Sequence, residues 1–181
     1  MAKISKEKWV VKGFKLLQKE GYNAIKLDNI CEKFNVTSGS FYHHFTGMNE
    51  YITEILRYWE KETIGKFSEM TNKKLSAAEK RKLLIAFTYN ISGTAEISFR
   101  AWALHNKIVR RFVNRFDDLR IKIAADIYKE HGLPAGRAYE IAEFANASWL
   151  GILEYCVYNP DKKQHLSRFL GNIVNRLLKV S

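Results

Sequence analysis

The stretch that most constrains this chain runs from Gly21 to Phe45, GYNAIKLDNICEKFNVTSGSFYHHF. It spells two short helices around a tight turn, the second of them polar. Leu27, Ile30, Cys31 and Phe34 share one side of a helix over Leu27 to Phe34. Asn35-Val36 makes the turn. Thr37 is a good N-cap, because its hydroxyl can accept a backbone N–H two or three residues on, and it opens a helix predicted over Ser38 to His44. Phe41 and Phe45, four apart, face the core. Ser38, Ser40, Tyr42, His43 and in part His44 are left to point outward or sideways. Short polar side chains let a helix backbone come close to base edges, so this pattern suits a DNA groove.

Charge agrees with that reading. The 181 residues hold 30 Lys and Arg against 19 Asp and Glu, a formal charge of +11. Such an excess suggests a polyanionic partner and says nothing of fold. Residues 1–46 carry eight Lys and Arg against four Asp and Glu. Five of those lysines, Lys6, Lys8, Lys12, Lys15 and Lys19, line the polar side of a first helix predicted over Ser5 to Glu20. Trp9, Val10, Phe14, Leu16 and Leu17 form its apolar face, and Gly21 stops it. A plain solvated face is the alternative reading of the lysines.

Pro134 and Pro160 are the only prolines, and most segments have helical periodicity, so the fold class is all-α. A long helix is predicted from Met48 to Met70, with Tyr51, Ile55, Tyr58, Trp59 and Phe67 as its stripe. Thr71-Asn72-Lys73-Lys74 is the expected hinge. Ser76 and Glu79 form a capping box before a helix over Ala77 to Ile91. Gly93 punctuates. Further helices are expected over Thr94–His105, Lys107–His131, Ala135–Tyr158 and Lys163–Lys179, separated by Asn106, Gly132-Leu133-Pro134 and Asn159-Pro160. Cys31 and Cys156 lie far apart without CxxC spacing, which suggests neither a disulfide framework nor a zinc site. No secretory signal and no membrane span is legible, so a cytoplasmic protein is expected.

Gly21-Tyr22, Leu27, Ile30 and the run Val36-Thr37-Ser38-Gly39-Ser40-Phe41-Tyr42-His43-His44-Phe45 resemble the TetR family of transcriptional regulators. Tyr42, His44 and Phe45 fit its aromatic Y-x-H-F ending. The resemblance implies a three-helix helix-turn-helix DNA-binding domain over 1–46. It implies a helical ligand-binding and dimerisation domain over 47–181, and about nine helices in all. It further implies a homodimer on an inverted-repeat operator, most simply a repressor released by a small-molecule effector. On the positions of this chain the DNA contacts fall to Lys26, Asp28, Thr37, Ser38, Gly39, Ser40, Tyr42, His43 and His44. His44 has a packed or capping role as its alternative. The chain departs from the family pattern at four places. Lys26 stands where Ser or Thr usually caps the second helix, and Asp28 where a basic residue or Thr is frequent. Met48 replaces a common lysine, and Lys12-Gly13 a frequent alanine pair.

Aromatic residues crowd the segment from Ala86 to Asn106 and the helix after Pro134. Phe87, Asn90, Phe99, Trp102, His105, Asn146 and Trp149 are the expected ligand-binding set, with ordinary core packing as the alternative for each. Ala142, Ala145, Trp149, Leu166, Leu170, Ile173 and Leu177 are the expected dimer interface, since two long helices with apolar stripes carry more apolar surface than one small domain needs. The enzyme class has little support: there is no phosphate-binding Gly-rich loop, no HExxH, and no legible Ser-His-Asp or Cys-His arrangement. No cofactor and no membrane partner is expected. The second reading is a ligand-independent DNA-binding regulator or adaptor with a filled C-terminal core.

Overall fold

The computed structural model describes residues 4–71, 75–90 and 93–179. Its helices are α1 (Lys6–Glu20), α2 (Leu27–Phe34), α3 (Ser38–Tyr42), α4 (Met48–Glu60), α5 (Lys66–Thr71), α6 (Ala77–Asn90), α7 (Gly93–Ala103), α8 (Lys107–Glu130), α9 (Ala135–Tyr158) and α10 (Lys163–Leu177). A π turn over Lys61–Gly65 joins α4 to α5, and 3-10 turns occupy Tyr22–Ala24 and Pro160–Lys162. With α4, the π turn and α5 taken as one run, the described residues form nine helices and no strand, the all-α fold the periodicity predicts. The expected single helix over Met48 to Met70 is corrected by that π turn. The expected hinge at Asn72-Lys73-Lys74 and the end of α6 at Ile91 lie outside the described residues.

Local chemistry sets the boundaries. Ser5 caps α1 by accepting the Lys8 N–H, and Gly21 ends it at φ 76°, a left-handed value that glycine tolerates. Asn35, at φ 54°, closes α2. Its N–H donates to the Glu32 carbonyl and the Val36 N–H to the Cys31 carbonyl, the paired bonds of a Schellman end. The Thr37 hydroxyl accepts the Ser40 N–H at 3.3 Å, as the N-cap reading requires. α3 ends at Tyr42, two residues short of the prediction, with His43 as its C-cap. Ser76 and Glu79 make the capping box reciprocally, Ser76 N–H to Glu79 Oε2 at 2.8 Å and Glu79 N–H to Ser76 Oγ at 3.3 Å. Asn106 starts α8 by accepting the Ile108 and Val109 N–H groups. Gly132, at φ 97°, turns the chain toward α9.

The chain divides into two compact units, Met1–Glu62 with Thr94–Asn114 and Thr63–Gly93 with Arg115–Ser181. In the first, α1 packs against α4 and Trp9 is fully buried at the centre. The Trp9 ring meets Phe34 at 5.3 Å, Phe41 at 5.6 Å and Tyr51 at 6.2 Å. Aromatic pairs at such offsets add to their burial by about 0.5–1.5 kcal/mol each. The core therefore clamps both helices of the turn motif onto α1. In the second unit, Phe67, Ile121, Tyr128, Leu133, Ile141 and Val174 lie in one buried cluster, and α9 packs along α10.

Candidate functional site

α3 presents two faces. Phe41 is fully buried, and Phe45 just beyond the helix is 2 % exposed. Ser38, Gly39, Tyr42 and His43 are exposed and share the opposite side. Tyr42 is 59 % exposed, an outlay of apolar surface that the first unit's core does not use. Thr37 is exposed and Ser40 half-buried. Gly39 has no packing reason to be glycine. A β-carbon there would come no nearer than 3.7 Å to Thr37 Oγ1, an ordinary contact, and its backbone is not left-handed. His44 is placed differently from its neighbours. Its ring is half-buried, with Nε2 2.7 Å from the Ile4 carbonyl, so it braces the chain start against the end of the motif.

Lys26 and Asp28 flank the start of α2, both exposed. Lys26 supplies no side-chain cap, as a residue without an acceptor must. Asn29 instead ties this turn down, its Nδ2 donating to the Ala24 carbonyl at 2.7 Å. The start of α4 is organised by Glu50, a residue the sequence reading passed over. Oε2 accepts the Thr46 N–H at 2.7 Å and the Thr46 hydroxyl at 2.9 Å, while Oε1 pairs with Lys6 Nζ at 2.7 Å. The Lys6 bond, followed by the two Thr46 bonds, pulls the Glu50 carboxyl from 4.5 down to about 2. Glu four residues after Thr, ahead of an apolar run, was the available signal. Gly47, the N-cap of α4, has no side-chain cap, and Asn49 beside it is exposed.

The second unit holds a cavity of about 130 Å³. Phe87, Asn146 and Trp149 of the expected ligand set line it. Phe99, Trp102 and His105 do not; they belong to the first unit. There Phe99 is fully buried and stacks on Trp59 at 4.4 Å, while Trp102 and His105 lie near Tyr22 at 6.1 and 6.2 Å. Aromatic richness reports burial but not which core a ring enters. The Asn90 side chain lies outside the described residues. Thr63, Ile64 and Phe67, on or next to the π turn, also line the cavity, as do Arg120, Ile123, Ala124 and Tyr128 of α8. The four-residue steps Arg120, Ala124, Tyr128 mark one helix face and could have been read from the sequence. Burial pushes the Tyr128 hydroxyl up to about 12, so it stays protonated. Trp149 is 4 % exposed, and its Nε1–H meets no acceptor among the described residues. An unmet buried donor costs about 1–3 kcal/mol.

Two of the expected dimer residues are buried within the single chain. Ala142 is 1 % exposed, and Trp149 lines the cavity. Ala145, Leu170 and Leu177 pack against the unit's own core, and Leu166 and Ile173 are half-buried. The seam between α9 and α10 that they mark is made within one chain. The outward stripe is another set: Phe144, Gly151, Tyr155 and Tyr158 along one side of α9, and Phe169 on α10.

Residues 11–55 match the sequence profile of the bacterial regulatory proteins of the tetR family. The match takes in about a quarter of the chain, so it is the N-terminal helix-turn-helix region that is similar to the TetR family. No curated protein matches it. Among solved structures, a putative TetR-family transcriptional regulator from Rhodococcus sp. superposes with a TM-score of 0.81 at 14% identity, covering 96% of this chain and 98% of that one. A TetR transcriptional regulator from Legionella pneumophila gives 0.75 at 20% identity, with 98% and 100% covered. A putative transcriptional regulator from Saccharomonospora viridis, in complex with choline, gives 0.79 at 14% identity, with 94% and 95% covered. At these identities the likeness is one of fold. It extends over nearly the whole chain, whereas the profile match runs from within α1 through the helix-turn-helix into α4. Among the described residues, no helix is long and apolar enough to cross a membrane.

Proposed function

We propose that this chain is a TetR-family regulator that represses transcription by binding an inverted-repeat operator as a homodimer and is released by a small molecule entering the second unit's cavity. In this reading residues 1–46 read DNA, and 47–181 dimerise and hold the effector. It is a cytoplasmic binding protein without catalytic chemistry. The observation that carries it is the outer face of α3: polar, low in profile, set on a basic unit, and holding a glycine that internal packing does not require. Ser38, Ser40, Tyr42 and His43 are suited to base edges, and Thr37 and Lys26 to phosphates. Asp28 is suited to a cytosine amine, and His44 to bracing the motif. The apolar lining of the cavity supports effector release over the filled-core alternative.

Gly39 separates this reading from a purely structural one. Gly39→Ala adds helix propensity of about 0.5–1 kcal/mol, so stability should hold or rise. The added methyl stands on the face offered to DNA, so affinity for a duplex selected from random sequence should fall at least about tenfold. Thermal melting and fluorescence anisotropy measure the two. Unchanged affinity would remove α3 from the DNA interface.

A further inference from the structure

We propose that the cavity takes an uncharged molecule of about one ring whose edge sets a hydrogen-bond donor beside an acceptor, as an amide or lactam does, and that the Asn146 side chain reads that edge. The ligand class stands on the cavity itself; only the consequence of binding rests on the effector reading above. The place of Asn146 in the sequence comes first. It is the twelfth of the 24 residues of α9. Asparagine favours caps and turns over helix interiors, because its side chain competes for nearby backbone groups. On the same face stand Ala142, four residues before, and Trp149, three after, with Ala145 beside them, and all four line the cavity. Ala142 and Trp149 are buried, so an apolar helix face is interrupted there by one amide.

Polarity decides the class. The Asn146 amide makes no hydrogen bond among the described residues, and neither its oxygen nor its nitrogen is sealed off as the Trp149 Nε1 is. It offers two N–H donors and an acceptor oxygen. A ligand with both functions answers it in one approach, whereas a ligand with only one leaves part of it unmet. Most other polar groups of the wall are engaged. The Thr88 hydroxyl donates to the Leu84 carbonyl and the Ser167 hydroxyl to the Lys163 carbonyl, each at 2.7 Å, so both hydrogens are committed. Thr63 and Arg120 have interactions of their own within the chain. The Tyr128 hydroxyl on α8, kept protonated by burial, can donate or accept and so suits the same two-sided edge.

Size and charge set the rest. A volume of about 130 Å³ is close to that of a cavity, about 150 Å³, that accepts benzene. Arg120 is the cation on the wall, and its Nη2 pairs with Asp117 at 2.6 Å. No carboxylate lines the cavity among the described residues. A ligand ion of either sign would therefore give up hydration without meeting an unengaged counter-charge.

The test uses the full chain and three probes with the same ring and carbonyl: benzamide, acetophenone and benzoate. By calorimetry benzamide should bind about fivefold tighter than acetophenone, the net gain of one hydrogen bond, and benzoate should bind more weakly than either. Asn146→Leu should erase the preference for benzamide over acetophenone. Because no internal partner is lost and leucine is the better helix former, that variant should melt no lower than the wild type. A lower melting temperature would show that the amide is held within the fold and would overturn the proposal. On the wild-type chain labelled with 15N-asparagine, one pair of side-chain amide resonances should move with benzamide. Equal binding of benzamide and acetophenone, tightest binding by benzoate, a preference that survives Asn146→Leu, or no binding of any probe would also overturn it. An operator complex that survives saturating benzamide, with the preference intact, would end the effector reading and leave the ligand class standing.

Discussion

Gly13 and Tyr51 are fitted to each other. The Tyr51 hydroxyl donates to the Trp9 carbonyl at 2.9 Å and passes directly over Gly13. A methyl at Gly13 would overlap that hydroxyl and lie 2.8 Å from the ring carbon Cζ and 2.9 Å from Ile55 Cδ1. This explains the glycine at 13, one of the places where the chain departs from the TetR pattern it resembles. Burial also drives the Tyr51 hydroxyl strongly upward, so it remains a donor at any ordinary pH. In an open helix Gly→Ala would stabilise by about 1 kcal/mol. Here overpacking costs about 1–3 kcal/mol, so Gly13→Ala should lower the unfolding free energy in urea. Tyr51→Phe removes the overlapping atom. The double variant should be more stable than the sum of the single losses, by more than about 0.5 kcal/mol. Strict additivity would show that the two residues are not fitted.

At the scale of elements, the start of α4 is tied to α1 by one carboxylate. The Glu50 carboxyl sits near 2 when folded against 4.5 ordinarily, because the ionised form is held by Lys6 and Thr46. A depressed folded value stabilises the fold fully above pH 4.5 and loses that stabilisation as pH falls toward 2. The wild-type chain should therefore lose more stability over that window than Glu50→Gln, and thermal melts at stepped pH compare them. Parallel curves would exclude the tie. The bounds of α2 and α9 match the sequence reading because their signals are local: the Asn35 turn, and Pro134 with Asn159-Pro160. The π turn was not legible, since Lys61–Gly65 has no proline and its one glycine stands at its last position, inside a run that otherwise reads as helix. The cavity was half legible. Phe87, Asn146 and Trp149 were found by composition, whereas Thr63 and Ile64 reach it through the π turn. Ala142 and Trp149 of the expected interface are buried within the single chain, because an apolar stripe states that a face is covered, not by which chain.

For the whole molecule, the outward aromatics of α9 and α10 are the place to test assembly. Tyr155 is 48 % exposed and Phe169 57 %, with Gly151 allowing close approach between them and a second copy. Tyr155→Asp should leave the single chain's stability within about 0.5 kcal/mol, because the site is outside the core. In the proposed dimer it buries an unpaired carboxylate and should shift light scattering toward the monomer at micromolar concentration. A dimer unaffected by Tyr155→Asp would place the interface elsewhere. The net charge of +11 belongs to the same scale, since in the proposed dimer two copies would bring two basic units to one duplex. The central claim is that this chain reads duplex DNA through α3. The measurement that meets it most directly is anisotropy titration of a duplex selected from random sequence, repeated over a salt series and with a scrambled duplex beside it. The selected sequence should be an inverted repeat, preferred over scrambled DNA, with log K falling linearly against log salt by about 0.9 per phosphate neutralised. Equal affinity for both duplexes, or affinity that stays flat as salt rises, would contradict it.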